Sequence, residues 1–124
     1  MAVTSTSQNN PVGAHLFKFE QPYPGKGVAL TPTTIKTGTH RIIAVMFDNS
    51  NNSTISYLKL YTSSPTLGTT TPFVVLKAPA STKIQYTFAP GIEIANSYGA
   101  FLTTAGKAGS LSPESTTTAY ILTS

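Results

Sequence analysis

The sequence predicts an all-β protein: an antiparallel jelly-roll-like β-sandwich with an extended N-terminal arm. Nine glycines and nine prolines are spread over the 124 residues, which leaves no space for a long helix. Charged residues make up 10% of the chain, against about 25% in an average globular protein. Threonine and serine fill the polar positions instead, and they favour strands and turns respectively. Short apolar segments recur at regular spacing between turn residues, which is typical of a sandwich or a barrel.

We divide the chain into an extended arm at residues 1–27 and a β-sandwich domain at residues 28–124. The arm is rich in Ser, Asn, Gln and Pro, and its prolines exclude regular helix and disfavour a central strand. Its large apolar side chains need burial, so we expect the arm to dock on a partner or on the domain's own flank. These predicted partner-binding residues are Leu16, Phe17, Phe19 and Tyr23.

The strongest predicted strand is 41–48, because apolar residues occupy both alternating sets of positions along it. Both of its faces should therefore be covered, one by the core and the other by the arm or by a subunit contact. Eight further short segments are candidates, and we expect about eight strands in all. The further candidates are 28–30, 33–37, 54–62, 73–78, 83–88, 91–95, 98–103 and 117–123.

The predicted strand 54–62 has two different faces. Leu58 and Leu60 alternate with Tyr57, Lys59 and Tyr61 along it. The leucines are interpreted as core residues. The two tyrosines on either side of a lysine are typical of a half-exposed face, so we predict that Tyr57, Lys59 and Tyr61 bind a partner.

The chain has few groups for acid–base or metal chemistry: two histidines, four carboxylates and no cysteine. His40 and Asp48 mark the two ends of the strongest strand, where about 26 Å of extended backbone separates them. The acids lack the spacing of a catalytic pair or of metal ligands. We therefore predict no enzymatic activity, no cofactor and no metal. Residues 25–27 (GKG) lack the rest of a phosphate-binding motif and are interpreted as a turn.

The net charge of +4 comes from basic residues scattered along the chain. A nucleic-acid-binding protein usually concentrates them on one face or in one run, so we predict no nucleic-acid partner. The positive excess serves solubility or attracts the chain to an acidic protein surface. The first residues have no signal-peptide pattern, and no apolar run approaches the roughly 20 residues that span a bilayer. We expect synthesis in a cytoplasm and no membrane partner.

From residue 41 onward, the order of segments resembles that of a known class of protein. The segments are 55–61 (ISYLKLY), 65–72 (PTLGTTTP), 88–92 (FAPGI) and 100–104 (AFLTT). Together they resemble small β-sandwich virion structural proteins of tailed bacteriophages, and the strand at 58–61 followed by the loop at 65–69 is the most specific part. Residues 1–27 lie outside the resemblance, which carries no catalytic motif.

The resemblance implies a capsid decoration (cement) protein that binds the outer surface of the major capsid protein and stabilises the head. It also implies copies of the chain associated as a homotrimer, made in the host cytoplasm and located on the capsid surface of the virion. The arm would lie across neighbouring capsid subunits. Removing residues 1–27 is then expected to abolish capsid binding and to leave a folded domain.

Two alternatives stay open. A tail, neck or fibre component would have the same fold, and the number of copies per virion separates it from a capsid protein. A carbohydrate-binding module on the virion surface would place Tyr57 or Tyr61 in an exposed groove, which a glycan array tests.

Overall fold

The structure is a computed structural model and describes residues 4–9 and 15–124. Within these residues, nine strands form two antiparallel sheets that face each other across a shared apolar core, and no helix is present. The predicted all-β class is confirmed. The strands are β1 (Thr4–Asn9), β2 (His15–Gln21), β3 (Thr33–Lys36), β4 (His40–Asp48), β5 (Ser56–Tyr61), β6 (Val74–Ala78), β7 (Lys83–Ile94), β8 (Ser97–Leu102) and β9 (Thr117–Thr123).

The first sheet has the strand order β1-β2-β9-β4-β7, and the second has the order β3-β8-β5-β6. Alternate residues of β4 and β9 point into the core. In β4, Val45 and Phe47 are buried while Met46 is exposed. In β9, Ala119 and Ile121 are buried while Tyr120 is exposed. Met46 and Tyr120 therefore lie on the outer face of the five-stranded sheet, away from the core.

Phe19 of β2 lies at the centre of the contact between the two sheets. Its ring stacks on Phe101 of β8 with centroids 4.9 Å apart, and Phe101 also packs against Phe47 of β4 at 5.2 Å. Gly99 makes room for it. A Cβ at residue 99 would lie 2.6 Å from Phe19 Cε2 and 2.8 Å from Ile35 Cδ1. The absence of a side chain in β8 thus allows a large ring from the opposite sheet to enter the core.

Gln21, at the end of β2, connects the two sheets through polar contacts. The β3–β8 ladder ends at Gly99. Beyond it, the side chain of Gln21 hydrogen-bonds the backbone of Phe101. Gln21 Nε2 donates to the carbonyl oxygen of Phe101 at 2.7 Å, and the Phe101 amide donates to Gln21 Oε1 at 2.8 Å. Because Gln21 is fully buried, these bonds satisfy groups that would otherwise be costly to desolvate.

Residues 15–21 of the predicted arm lie on the chain's own domain, which was one of the two expected positions, but they form an interior strand of the five-stranded sheet, where the prolines predicted none. β2 pairs with β1 on one side and with β9 on the other. Phe17 and Phe19 are buried in the chain's own core, so they are not a surface for a partner. The prolines that disfavoured a strand, Pro22 and Pro24, lie beyond its end. Residues 1–3 and 10–14 of the predicted arm lie outside the described residues.

The long edge strand β7 replaces two predicted strands. The partners of β4 shift from Ile92 opposite Ile42 to Thr87 opposite Ala44, so residues 88–91 form a bulge in β7. Pro90 lies in this bulge, where it removes no regular ladder bond.

The predicted strand at 28–30 is irregular in the structure. Residues 25–27 form a turn as predicted, and the Val28 amide closes it by donating to the Gly25 carbonyl oxygen at 3.2 Å.

Phe19→Ala is expected to lower the free energy of unfolding by about 3–5 kcal/mol, because it leaves a cavity between the sheets. Phe73→Ala is the matched control: the side chain of Phe73 is 49% exposed whereas Phe19 is 0% exposed, and its loss should cost below about 1 kcal/mol. Chemical denaturation of both variants measures the difference. Equal, small effects would mean that residues 15–21 are not part of the folded core.

Candidate functional site

The predicted partner-binding face of β5 is covered by the chain itself. Lys59 is 0% exposed and Tyr61 is 2% exposed, while Tyr57 is half-buried. The prediction is therefore wrong for Lys59 and Tyr61. The connection between β8 and β9, residues 103–116, folds back over this side of the sheet, and Lys59 Nζ donates to the carbonyl oxygen of Gly106 at 2.6 Å. Burial lowers the pKa of the Lys59 ammonium and raises the pKa of the Tyr61 hydroxyl.

The covering loop is supported by the connection between β5 and β6. A Cβ at Gly68 would lie 3.4 Å from the carbonyl oxygen of Ala108, so the two connections touch through small residues. The Thr103 amide donates to the Leu111 carbonyl at 3.0 Å and closes the base of the loop.

The outer face of the five-stranded sheet carries an exposed apolar patch, here called the sheet patch. In the register, Leu122 of β9 lies between Leu16 of β2 and Ala44 of β4, and Tyr120 lies beside Met46. Met46 and Tyr120 are each 39% exposed. These side chains line a shallow groove of about 250 Å³ together with Gln85. The sheet patch consists of Leu16, Ala44, Met46, Tyr120 and Leu122.

Three ion pairs lie around the sheet patch on the same face. They also account for every ion pair among the described residues. Exposed pairs of this kind contribute little to stability. An apolar centre inside a charged, polar rim is, however, the usual composition of a protein-binding surface. The pairs are Lys18–Glu20 at 3.6 Å, Arg41–Glu93 at 3.4 Å and Asp48–Lys83 at 3.9 Å.

The four arm residues predicted to bind a partner therefore lie in three different parts of the structure. Leu16 lies in the sheet patch, half-buried. Phe17 and Phe19 lie in the core, and Tyr23 lies at one end of the sandwich. The sequence places apolar residues on both sides of 41–48, but it does not join Met46, Tyr120 and Leu122 into one surface, because strand order in a sheet is not readable from a single sequence.

A cleft of about 780 Å³ opens at the end of the sandwich where Tyr23 lies. Three connections line it: β2 to β3, β4 to β5, and β8 to β9. The lining combines polar and apolar surface in similar amounts, and its charged residues are one lysine and one glutamate. Its side chains include Tyr23, Lys26, Val28, Asn51, Asn52, Ser53, Thr54, Ser110, Leu111, Ser112, Glu114 and Ser115.

Neither histidine lines the sheet patch or the cleft. His40 is buried at the start of β4, where Nδ1 lies 2.6 Å from the Gly38 carbonyl oxygen and Nε2 lies 3.0 Å from Ser97 Oγ. Asp48 stands at the other end of the same strand. Across residues 4–9 and 15–124, no group of three or more His, Asp or Glu side chains is arranged to hold a metal ion. The same residues contain no helix long and apolar enough to cross a membrane.

Comparison of the chain with protein-family models, curated proteins and solved structures gave no match.

The stability of the domain is expected to fall as the pH drops through about 6.5, because burial lowers the pKa of His40 from 6.5. Between that lowered pKa and 6.5, the unfolded chain binds the proton and the folded chain does not, so protonation favours unfolding. One histidine contributes at most about 1.4 kcal/mol per pH unit. Denaturant unfolding from about pH 5 to pH 8 measures the slope.

His40→Gln is the control for this pH dependence, because glutamine does not titrate and every other ionisable group is retained. The variant is expected to lose part of the decrease in stability between about pH 6.5 and pH 5. Parallel curves for the two proteins would show that His40 does not contribute.

Proposed function

We propose that this chain is a virion structural protein of a tailed phage: a capsid decoration protein that binds the outer surface of the major capsid protein and stabilises the head. The observation that carries this proposal is the sheet patch with its ion-paired rim. An apolar surface surrounded by polar groups is best explained by a protein partner. The partner-binding role thus moves from the predicted arm and β5 face to the outer face of β2, β9 and β4.

The strand order supports the finer assignment of a jelly roll. Leaving aside β1, the sheet β2-β9-β4-β7 faces the sheet β3-β8-β5-β6, which is the arrangement expected when two Greek keys are wound into an eight-stranded sandwich. Capsid and lectin domains use this architecture. Because one fold hosts many functions, the topology is only consistent with a virion protein, and the sheet patch is the argument for binding.

Binding in many copies suits a small docking surface. A homotrimer on a capsid would present three sheet patches at once, and the second and third contacts would form at high effective concentration. The net charge of +4 would speed docking on an acidic capsid exterior. In this proposal the protein acts by binding alone, with no catalytic step.

Met46→Glu is expected to weaken binding to purified capsid shells by about tenfold or more, because it places a carboxylate in the apolar centre of the interface. Val75→Glu is the matched control, since Val75 is also a strand residue that is 39% exposed, but it lies in β6 of the other sheet. Co-sedimentation of each variant with shells lacking the protein measures the bound fraction.

Equal binding by the two variants would contradict docking through the sheet patch. Failure of the wild-type chain to bind any capsid shell would contradict the decoration role itself. In that case a low copy number on stained gels of purified virions would assign the chain to the tail, neck or fibre.

A further inference from the structure

We propose that the cleft at the end of the sandwich binds an uncharged oligosaccharide. The cleft lies on loops, whereas the sheet patch lies on β2, β9 and β4, so this inference is independent of capsid docking. Its volume of about 780 Å³ falls within the range of about 300–1,000 Å³ that is usual for ligand sites. Three separate connections of the chain converge on it, as in many binding sites built from loops on a rigid scaffold.

The floor of the cleft is held in place by buried polar residues. Asn52 Nδ2 donates to Asn49 Oδ1 and to Thr117 Oγ1, each at 2.8 Å, and Asn52 Oδ1 accepts from the Ser115 amide at 3.0 Å. Ser112 Oγ accepts from Gln21 Nε2 at 2.9 Å. These bonds join the lining connections to β2 and β9, so the cleft is formed before any ligand arrives.

The rim, in contrast, has polar side chains without partners. Lys26, Ser53 and Glu114 are exposed, and their side chains form no hydrogen bond or ion pair with any described residue. The single cation and the single anion of the lining balance each other. The other polar groups of the lining are hydroxyls and amides, which both donate and accept hydrogen bonds. A ligand with many hydroxyl groups and no net charge matches this set.

Apolar side chains lie beside these polar groups. Val28 and Leu111 are among the most exposed large apolar residues of the described chain, and both line the cleft with the half-buried ring of Tyr23. A sugar ring has an apolar C–H face and a polar edge, so it can cover Tyr23 while its hydroxyls reach the rim. A polyanion would need an excess of cations, and a purely apolar ligand would leave the rim hydroxyls unpaired.

The test uses the full-length chain on an array of bacterial capsular and O-antigen polysaccharides. Binding to one or more uncharged polysaccharides is expected. An oligosaccharide fragment of such a polysaccharide is then titrated into ¹⁵N-labelled protein, where amide shifts are expected in 23–29, 51–54 and 110–115 but not in 118–122. An array without hits, or amide shifts confined to other residues, would overturn the proposal. Amide shifts in the cleft residues on addition of unglycosylated peptides, and not on addition of the oligosaccharide, would overturn it as well.

Tyr23→Ala is expected to weaken the affinity for the fragment about tenfold. Tyr120→Ala removes the same side chain from the sheet patch and should leave the affinity unchanged. Glu114→Ala is a second cleft variant that removes an exposed side chain without partners, so it keeps the test valid if Tyr23→Ala does not fold. Unchanged affinity in both Glu114→Ala and a folded Tyr23→Ala would overturn the proposal.

Discussion

The packing of Phe19 between the two sheets is the interaction on which the rest of the structure depends. The ring enters the core because Gly99 leaves space for it, and it stacks on Phe101, which in turn packs on Phe47. Two residues further along, Gln21 hydrogen-bonds the backbone of Phe101. Because side chains alternate along a strand, fixing Phe19 and Gln21 inward fixes Leu16 and Lys18 outward. One constraint thus places β2 in the core and sets one border of the sheet patch.

One outer face of the sandwich is covered at its middle by the chain itself, and the other is exposed to solvent. The β3-β8-β5-β6 face carries Lys59 in its middle, and residues 103–116 cover it, with the Gly106 carbonyl accepting from the ammonium group. The other face carries Met46 and Tyr120, and it keeps both exposed. A solvent-facing apolar surface is costly unless a partner covers it. The uncovered face is therefore the better candidate for docking, although it looked less distinctive in the sequence than the Tyr-Lys-Tyr strand.

Much of the fold followed from local pattern, and little of the site did. The apolar residues in both sets of positions along 41–48, and the short apolar segment at 117–123, predicted strands that the structure confirms as β4 and β9. The arm prediction failed at residues 15–21 because Pro22 and Pro24 were given more weight than the alternation of Phe17, Phe19 and Gln21. Lys59 was misplaced because a charged residue between tyrosines usually faces solvent, and the loop that buries it comes 44 residues or more later in the chain. Contacts between such distant segments are fixed by tertiary packing, which a single sequence does not reveal.

Amide hydrogen exchange of the full-length chain tests most directly whether β2 is an integral strand that completes both the core and the sheet patch. Amides of residues 16–20 are expected to exchange slowly, with protection comparable to that of their neighbours at 118–122, because the two strands share one ladder. Exchange at 16–20 as fast as that of an unstructured chain, while 118–122 stay protected, would contradict it. In that case residues 15–21 would be the extended arm that the prolines predicted, and the sheet patch would lose Leu16.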